Sequence, residues 1–343
     1  MLISDFDYIL PPEQIAQTPA EPRDSSRLMV LNRATGDLEH RHFYDLPDTL
    51  RPGDLLVLNQ TRVIPARLPA RKLPGGGKAE ILLLKRLGPQ LWEGLVGGRG
   101  RRPGARLQVV DGPTATVMAE LDGPRRVLHF DAPLTPELAR VGQTPLPPYI
   151  TAPLADPERY QTVFARDPGS AAAPTAGLHF TPGLLARLQD RGVGVAYVTL
   201  HVGLDTFAPV TEEHAETHRI HSEWCQLPPE TARQINAARR AGGRIVAVGT
   251  TSVRTLETAA RAAAPDETVA PFAGPTDLYI LPGYAFRAVD ALITNFHLPR
   301  STLLLLVAAF LGAHGRETLL AAYATAQRAG YRFYSFGDAM VIG

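Results

Sequence analysis

Short apolar runs alternate with amphipathic segments over the second half of the chain, from residue 181 onward. The apolar runs predict strands over 195–200, 244–248, 291–294 and 331–336. In the segments between them, apolar residues recur at the spacing of a helix that buries one face. This alternation predicts βα units packed around a largely buried, mostly parallel sheet.

Local signals indicate where several of these helices begin and end. Thr181 is followed by Pro182, an N-cap residue before a proline at the first helical position, and Gly192 ends that helix. The pattern also predicts a helix from Val253, an apolar helix over 302–311 and a helix over 316–329. These helices complete the α/β part of the chain.

The segment from 67 to 150 has a different pattern of apolar and polar residues. Short strand-like runs, such as 79–84, 92–96 and 126–130, are separated by glycine and proline with little helix between them. This spacing predicts a small all-β barrel. We therefore expect an α/β fold with a mixed, largely parallel sheet and an inserted small all-β barrel domain. The expected boundaries are 1–66 and 151–343 for a discontinuous α/β catalytic domain, and 67–150 for the barrel.

Composition narrows the class of protein without naming a function. A chain of 343 residues is longer than one ordinary domain, so we expect two domains. Its content of 45% hydrophobic and 20% charged residues is usual for globular domains. A net charge of +1 neither requires nor excludes a nucleic-acid partner. The single cysteine, Cys225, excludes an internal disulfide and a cysteine-based zinc site. The start of the chain has no signal-peptide pattern, so we expect a cytoplasmic protein.

Histidines are grouped rather than scattered, at predicted strand ends and in loops. The groups contain His179, His201, His218 with His221, and His297. Imidazole titrates near neutral pH and binds metals, so such groups suit proton transfer or metal binding. The alternative is that a histidine in such a turn is structural, with its ring hydrogen-bonded to the turn backbone and no role in catalysis.

Two strand-to-helix turns carry polar groups where open α/β sheets bind ligands. They are Gly249–Arg254 and Asn295–Thr302, and a third polar segment, 201–206, also follows a predicted strand. The backbone N–H groups at a helix start can hold a carboxylate or phosphate. Plain helix capping by serine and threonine explains the same residues, so both interpretations stay open at this point.

Two rival functions use other residues. His214, His218 and His221 have the spacing of one helical face, which would suit a zinc hydrolase. However, Glu216 lies one place too late for the zincin pattern. The second rival is a non-enzymatic tRNA-binding protein built on the barrel, in which Arg99, Arg101 and Arg102 would follow a phosphate backbone.

Segments along nearly the whole chain resemble one family, the S-adenosylmethionine:tRNA ribosyltransferase-isomerases of queuosine biosynthesis. The similar segments are DFDY at 5–8, RDSSRL at 23–28, NQTRVIPARL at 59–68, PLPPYI at 145–150, RYQTVF at 159–164 and APTAGLHFT at 173–181, and further ones lie at His201, 221–223, 249–257, 295–305 and 331–340. The chain departs from the family pattern at Gln60, Asp205, Ala208 and His214.

The resemblance implies a reaction and its partners. The ribosyl moiety of S-adenosyl-L-methionine would be transferred and isomerised onto 7-aminomethyl-7-deazaguanine at the wobble position of tRNA. The product would be epoxyqueuosine-tRNA, with adenine and methionine released. The resemblance further implies S-adenosyl-L-methionine as the donor substrate, tRNA as the partner, and neither a metal nor a membrane. We expect a monomer.

The reaction needs a base for the hydrogens beside the sulfonium and a proton donor for the leaving adenine. The expected catalytic residues are His179, His201, His221, Glu223 and His297, with Glu223 orienting a histidine or balancing the sulfonium. The expected substrate-binding residues are Thr250, Thr251, Ser252, Arg254, Asn295, Arg300, Ser301 and Thr302. Arginines expected to contact tRNA phosphates are Arg23, Arg27, Arg62, Arg67, Arg99, Arg101 and Arg102.

Overall fold

The computed structural model of the chain describes residues 1–97, 102–203, 210 and 212–343. These residues form two compact units. The larger unit contains Met1–Thr61, Pro148–Asp167 and Ala173–Gly343. The smaller unit contains Arg62–Pro147 and Pro168–Ala172.

Strands outnumber helices in the described part of the chain. The strands are β1 (Arg27–Leu31), β2 (Leu38–His42), β3 (Leu55–Asn59), β4 (Thr61–Val63), β5 (Arg67–Leu73), β6 (Lys78–Arg86), β7 (Leu91–Gly97), β8 (Arg106–Val109), β9 (Thr114–Glu120), β10 (Arg125–Phe130), β11 (Asp167–Ser170), β12 (Gly194–Leu200), β13 (Glu223–Leu227), β14 (Ile245–Val248), β15 (Phe272–Thr276), β16 (Ala291–Asn295) and β17 (Ala339–Ile342). The α-helices are α1 (Leu138–Val141), α2 (Pro182–Asp190), α3 (Pro229–Arg240), α4 (Thr250–Arg261), α5 (Thr302–Leu311) and α6 (Gly315–Arg328).

A nine-stranded sheet organises the larger unit, in the order β15-β13-β12-β3-β14-β16-β17-β1-β2. The four central strands, β12, β3, β14 and β16, run parallel to one another. Antiparallel pairs flank this centre on both sides, at β12–β13 and at β16–β17. The carboxyl ends of β14 and β16 therefore lie at the same edge, where the two polar turns begin.

Both faces of the central strands are buried. In β3, Leu55 and Val57 pack into one hydrophobic cluster, and Leu56 and Leu58 pack into a second. Successive side chains of a strand point to opposite faces, so a continuous apolar run fills two layers at once. The first layer is covered by α3, α4, α5 and α6, and the second by α2 and the segment around Phe43.

The smaller unit is a closed antiparallel barrel of six strands, in the order β10-β7-β6-β5-β8-β9. Its interior is filled by alternating inward-facing side chains such as Leu68, Ile81, Trp92 and Leu128. Gly94 of β7 is required by close packing, because a Cβ there would lie 2.8 Å from the carbonyl oxygen of Leu82. The mixed sheet and the separate barrel confirm the predicted fold class.

The predicted strand over 331–336 is wrong. These residues form an irregular segment with one isolated bridge, between Ile15 and Phe333, and the strand follows later as β17. Tyr331 and Phe333 of this segment are buried in a ring cluster around Phe296 instead of standing on a sheet face. Hydrophobic composition without strict alternation did not distinguish these two kinds of burial.

Helix boundaries follow the sequence signals closely. α5 covers the predicted 302–311, and α6 begins and ends one residue before the predicted 316–329. α4 begins at Thr250, three residues before the predicted Val253. Among the described residues, none of the helices alone has the length and apolarity of a membrane span. α5 and α6 meet that test only jointly, and they are bent by 111° at the break between them.

Candidate active site

A cleft with about 650 Å³ of empty space, part of it open to solvent, lies at the carboxyl edge of the parallel strands. Both polar turns contribute to it, through Gly249–Thr251 after β14 and Asn295–Leu298 after β16. Further walls come from 173–176 and from Tyr334. The described residues that line it include no aspartate, glutamate, lysine or arginine. The cleft is therefore a neutral, hydroxyl-rich pocket.

The start of α4 lines this cleft through Gly249, Thr250 and Thr251. Gly249 precedes the helix at φ 84° and ψ 154°, a conformation almost restricted to glycine, and it supplies no capping side chain. The first-turn N–H groups of a helix have no partner within the helix. The hydroxyl of Thr251 is buried and has no hydrogen-bond partner among the described residues. The Ser252 hydroxyl, by contrast, donates to the carbonyl of Val248 at 2.8 Å.

Asn295, the last residue of β16, is the centre of a buried network. The Thr175 hydroxyl donates to its Oδ1 at 3.0 Å, and its Nδ2 donates to the carbonyl of Tyr334 at 3.3 Å. These two partners fix which way the amide points. The same Nδ2 lies 3.2 Å from Nε2 of His179, so it donates to that ring nitrogen.

His179 is consequently held as one tautomer. Since Nε2 accepts from Asn295, the proton of the neutral ring lies on Nδ1 and is donated to the Ser26 hydroxyl at 2.7 Å. The ring stacks on Phe43 with centroids 4.9 Å apart. Burial lowers the pKa of His179 to about 3, with a smaller contribution from Arg332 and Arg23. His179 lies behind Asn295 and is not part of the cleft lining.

His297 does line the cleft, and its backbone is fixed from both sides. Its N–H donates to the Tyr323 hydroxyl at 2.8 Å, and the Tyr8 hydroxyl donates to its carbonyl. Its Nε2 lies 2.8 Å from the Thr294 hydroxyl. Burial lowers the pKa of His297 to about 3, so the ring is neutral at physiological pH. Among the described residues, no hydrogen-bond partner meets its Nδ1.

The other two predicted catalytic histidines do not line the cleft. His201 follows β12, bonds the Thr61 hydroxyl through Nδ1 at 2.8 Å and stacks on Trp224. Burial lowers its pKa. His221 is exposed just before β13. The structure therefore brings His297 to the cleft, with His179 behind it, and leaves His201 and His221 outside the lining.

Glu223 and Arg254 form a buried ion pair with each other, each side chain being 6% exposed. Glu223 also accepts from the Gly203 N–H at 2.8 Å. Arg254 donates to the carbonyls of Leu278 and Thr276 at 3.1 and 3.3 Å. Neither side chain lines the cleft. Their contacts join β13, β15 and α4.

Ser301 caps the N-terminus of α5. The Ser301 hydroxyl accepts from the Leu304 N–H at 3.2 Å and donates to the carbonyl of Leu298 at 2.8 Å. Ser301 lines the cleft, whereas Thr302 and the exposed Arg300 do not. Arg300 has a φ of 57° and anchors the turn through its N–H to the carbonyl of Phe6.

The helical face expected for His214, His218 and His221 is wrong. Residues 215–217 form a single 3₁₀ turn, and the chain is extended on both sides of it. The described residues hold no group of three or more histidine, cysteine or acidic side chains arranged to bind a metal. His218 pairs instead with Glu212, at 3.0 Å.

The arginines expected to contact tRNA fall into three groups. Arg23 and Arg27 are partly buried and used within the fold: Arg23 donates to the carbonyls of Gln161 and Glu158, and Arg27 lies over the ring of Tyr331. In the barrel unit, Arg102 is exposed, Arg67 lies 3.7 Å from Glu80, and Arg62 is partly exposed. Arg99 and Arg101 lie outside the described residues, as do the departures Asp205 and Ala208.

Sequence reasoning missed several residues of the cleft wall. Tyr149, Thr175, Tyr334 and Ser335 all line it. All four lie within segments that resemble the family, but no pattern in the sequence pointed to a role for them. These residues are brought to the cleft by packing between segments that are distant in the sequence.

Comparison with known proteins gives a single result. The family model described as "Queuosine biosynthesis protein" matches residues 3–342. The S-adenosylmethionine:tRNA ribosyltransferase-isomerase of Symbiobacterium thermophilum is 57% identical over 346 residues, covering all of both chains, and that of Moorella thermoacetica is 55% identical over 347. The crystal structure of S-adenosylmethionine tRNA ribosyltransferase from Thermotoga maritima matches 99% of this chain and all of its own, with 42% identity and a TM-score of 0.57. The chain belongs to the queuosine biosynthesis protein family.

Proposed function

We propose that this protein is an S-adenosylmethionine-dependent tRNA ribosyltransferase-isomerase. It transfers and isomerises the ribosyl moiety of S-adenosyl-L-methionine onto 7-aminomethyl-7-deazaguanine at the wobble position of tRNA. The product is epoxyqueuosine-tRNA, and adenine and methionine are released. Full-length relatives at 55–57% identity carry this enzyme name, which supports the assignment.

The observation that carries the proposal is the donor set of the neutral cleft. Thr250 and Thr251 of the first turn of α4 line the same cleft as Asn295 and His297, and among the described residues the Thr251 hydroxyl has no hydrogen-bond partner. A helix start with free N–H groups suits a carboxylate. S-Adenosylmethionine carries a carboxylate at one end and a nucleoside at the other. We assign its methionine carboxylate to the α4 turn, with Thr250 and Thr251.

His297 is the best-placed proton acceptor of the predicted group. Its burial keeps the ring neutral at physiological pH, which is the form a general base needs. A low pKa also makes it a weak base, so it requires an unusually acidic proton. The sulfonium of S-adenosylmethionine provides one, because it acidifies the hydrogens on the adjacent 5′-carbon.

His179 has a different proposed role from His297. Both of its ring nitrogens are occupied, and one of them receives the amide of Asn295. We therefore assign His179 to positioning Asn295, which lines the cleft. His201, His221 and Glu223 stay predictions as catalytic residues.

The remaining expectations concern the setting of the reaction. We propose that the barrel, over about 67–150, is an inserted domain that contributes arginines such as Arg102 to tRNA binding. The chain acts as a monomer in the cytoplasm, where tRNA is modified. The reaction needs no metal.

The decisive experiment follows the release of free adenine by chromatography. The protein is incubated with S-adenosylmethionine and tRNA that carries 7-aminomethyl-7-deazaguanine. Adenine is expected only when both substrates are present. His297→Ala and Asn295→Ala should lose at least about a hundredfold in turnover, in line with the loss of a positioned acid or base. The exposed His214→Ala is the matched control and should keep wild-type turnover. Absence of adenine release by the wild-type protein would refute the function.

A further inference from the structure

His201, Trp224 and Pro275 stand side by side across three neighbouring strands. Leu200 pairs with Cys225 where β12 meets β13, and the His201 N–H donates to the Trp224 carbonyl at 3.0 Å. Trp224 of β13 is in turn paired with Pro275 of β15. Residues directly opposite each other in antiparallel strands point to the same face. The three rings therefore form one row on one face of the sheet, which we call the ring row.

The ring row is accessible, whereas the opposite face of β13 is buried. Trp224 is 42% exposed, and Pro275 is also exposed. Glu223 and Cys225 flank Trp224 in the strand and point the other way, and they are 7% and 0% exposed. The alternation of β13 therefore places a large aromatic ring on the outside, where burying it requires a partner.

One face of the Trp224 indole is already covered within the protein. The His201 ring stacks on it, with centroids 5.4 Å apart and an angle of 20° between the planes. His201 is held there through its Nδ1, which lies 2.8 Å from the Thr61 hydroxyl. On the other side of the indole, the next ring of the row is Pro275, which is short and itself exposed. The second face of the indole is therefore the open one, and its support is in place before a ligand arrives.

The ring row lies at the same edge of the sheet as the candidate active site. β12 runs parallel to β3, and β3 to β14, so His201 follows the carboxyl end of β12 at the edge where the cleft lies. Trp224 lies near the start of β13, which is antiparallel to β12 and so begins at that edge. Three strand spacings, or about 14 Å, separate β13 from β14. A ligand longer than one nucleoside can therefore occupy the cleft and the ring row together.

We propose that the open face of Trp224 stacks on an unpaired base of the tRNA anticodon loop, one that neighbours the wobble nucleotide. This inference rests on the proposed function, in which the wobble nucleotide meets S-adenosylmethionine in the cleft. Bases of single-stranded loops are recognised by stacking on aromatic side chains. The ring row suits a base rather than a phosphate, because its members carry no charge. Burial lowers the pKa of His201, which leaves that ring neutral at physiological pH.

The test measures the binding of tRNA that carries 7-aminomethyl-7-deazaguanine, by filter binding at one salt concentration. Trp224→Ala should raise Kd about tenfold, whereas Trp224→Phe, which keeps a ring, should stay within about threefold of the wild type. Neither variant should change the Kd for S-adenosylmethionine in isothermal titration calorimetry, because the ring row lies outside the described lining of the cleft.

Tyr44→Ala is the matched control. Tyr44 is 40% exposed and stacks on His42 with centroids 5.0 Å apart, so it is also an accessible ring supported by a histidine. It follows β2, which lies at the far end of the sheet from β13 and β15. Tyr44→Ala should bind the tRNA with the wild-type Kd.

Changes in the RNA identify the base. A second tRNA has an abasic site at one neighbour of the wobble nucleotide, and a third tRNA has it at the other neighbour. One of the two should bind the wild-type protein about tenfold more weakly and show no further loss with Trp224→Ala, because the stacked pair is already gone. Intact tRNA should also quench the fluorescence of the wild-type protein, and most of this quench should be absent in Trp224→Phe. Trp92, the other tryptophan, is buried in the barrel.

Each contrary outcome is distinct. Wild-type affinity of Trp224→Ala for the tRNA would refute the proposal, and so would an equal loss in Tyr44→Ala. Losses that add fully with both abasic tRNAs would show that Trp224 acts on neither neighbouring base. A raised Kd for S-adenosylmethionine in Trp224→Ala would place the ring at the donor instead. If the wild-type protein releases no adenine with the intact tRNA, the proposed function fails. Adenine release together with an unaltered Trp224→Ala affinity refutes this inference alone.

Discussion

The buried pair of Glu223 and Arg254 gives the sharpest prediction about stability. Glu223→Gln keeps the shape of the side chain and its acceptor for the Gly203 N–H. It removes the charge that faces Arg254, whose side chain is 6% exposed. Among the described residues, Arg254 would then be a buried cation with only the carbonyls of Leu278 and Thr276 as partners.

Removing one member of a buried ion pair costs about 3–5 kcal/mol in the free energy of unfolding. For a unit of this size, each kcal/mol lowers Tm by about 2–4 °C, so Tm should fall by roughly 6–20 °C. Urea denaturation and a thermal scan followed by circular dichroism measure both quantities. The double variant Glu223→Gln with Arg254→Met should lose less than the sum of the single changes, because the unpaired charge is gone.

Glu230→Gln is the matched control. Glu230 pairs with Arg233 on the surface of α3, where the two side chains are 63% and 70% exposed. An exposed pair of this kind contributes about 0–1 kcal/mol. If Glu223→Gln is as stable as this control yet has lost adenine release, the carboxylate acts in the reaction and the structural role argued for it is wrong.

Two further predictions concern pH and salt. His179 and His297 have pKa values of about 3 in the folded protein against an ordinary 6.5. The unfolded chain therefore binds their protons first, and the free energy of unfolding should fall as pH drops from 6.5 towards 3, by about 2 kcal/mol per histidine at pH 5. His179→Gln should remove the contribution of one histidine to this pH dependence, measured as the free energy of unfolding in urea between pH 7 and 5. An unchanged pH dependence in this variant would contradict the prediction. For tRNA, Arg102→Ala should reduce the slope of log K against log salt by about 1, measured by filter binding, while the exposed Arg233→Ala leaves it unchanged; equal slopes in both variants would remove Arg102 from the interface.

The sequence predicted those elements whose signals are local. α5 was predicted to the residue, because an apolar run follows a serine that caps it. The buried strands β12, β14 and β16 were predicted from short apolar runs. The meeting of the α4 turn with Asn295 and His297 followed from one rule of α/β sheets, since the carboxyl ends of parallel strands lie at one edge.

Features that depend on distant partners could not be predicted. Arg254 was expected at the substrate, but Glu223, 31 residues away in sequence, occupies its guanidinium. His179 and His297 were equivalent in the sequence. Only the structure shows that Asn295 and Ser26 occupy both ring nitrogens of His179. The segment 331–336 resembled a strand because its aromatic residues are buried, although their partners are rings and not neighbouring strands.

The central claim is that the cleft beside α4 and β16 binds S-adenosylmethionine. Leu303 lines this cleft and is half-buried, so Leu303→Trp should fill the space without overpacking the core. Leu185→Trp, at a half-buried position of α2 that does not line the cleft, is the matched control. Isothermal titration calorimetry with S-adenosylmethionine should show at least about a tenfold rise in Kd for Leu303→Trp and none for Leu185→Trp. Wild-type affinity in a folded Leu303→Trp protein would contradict the account.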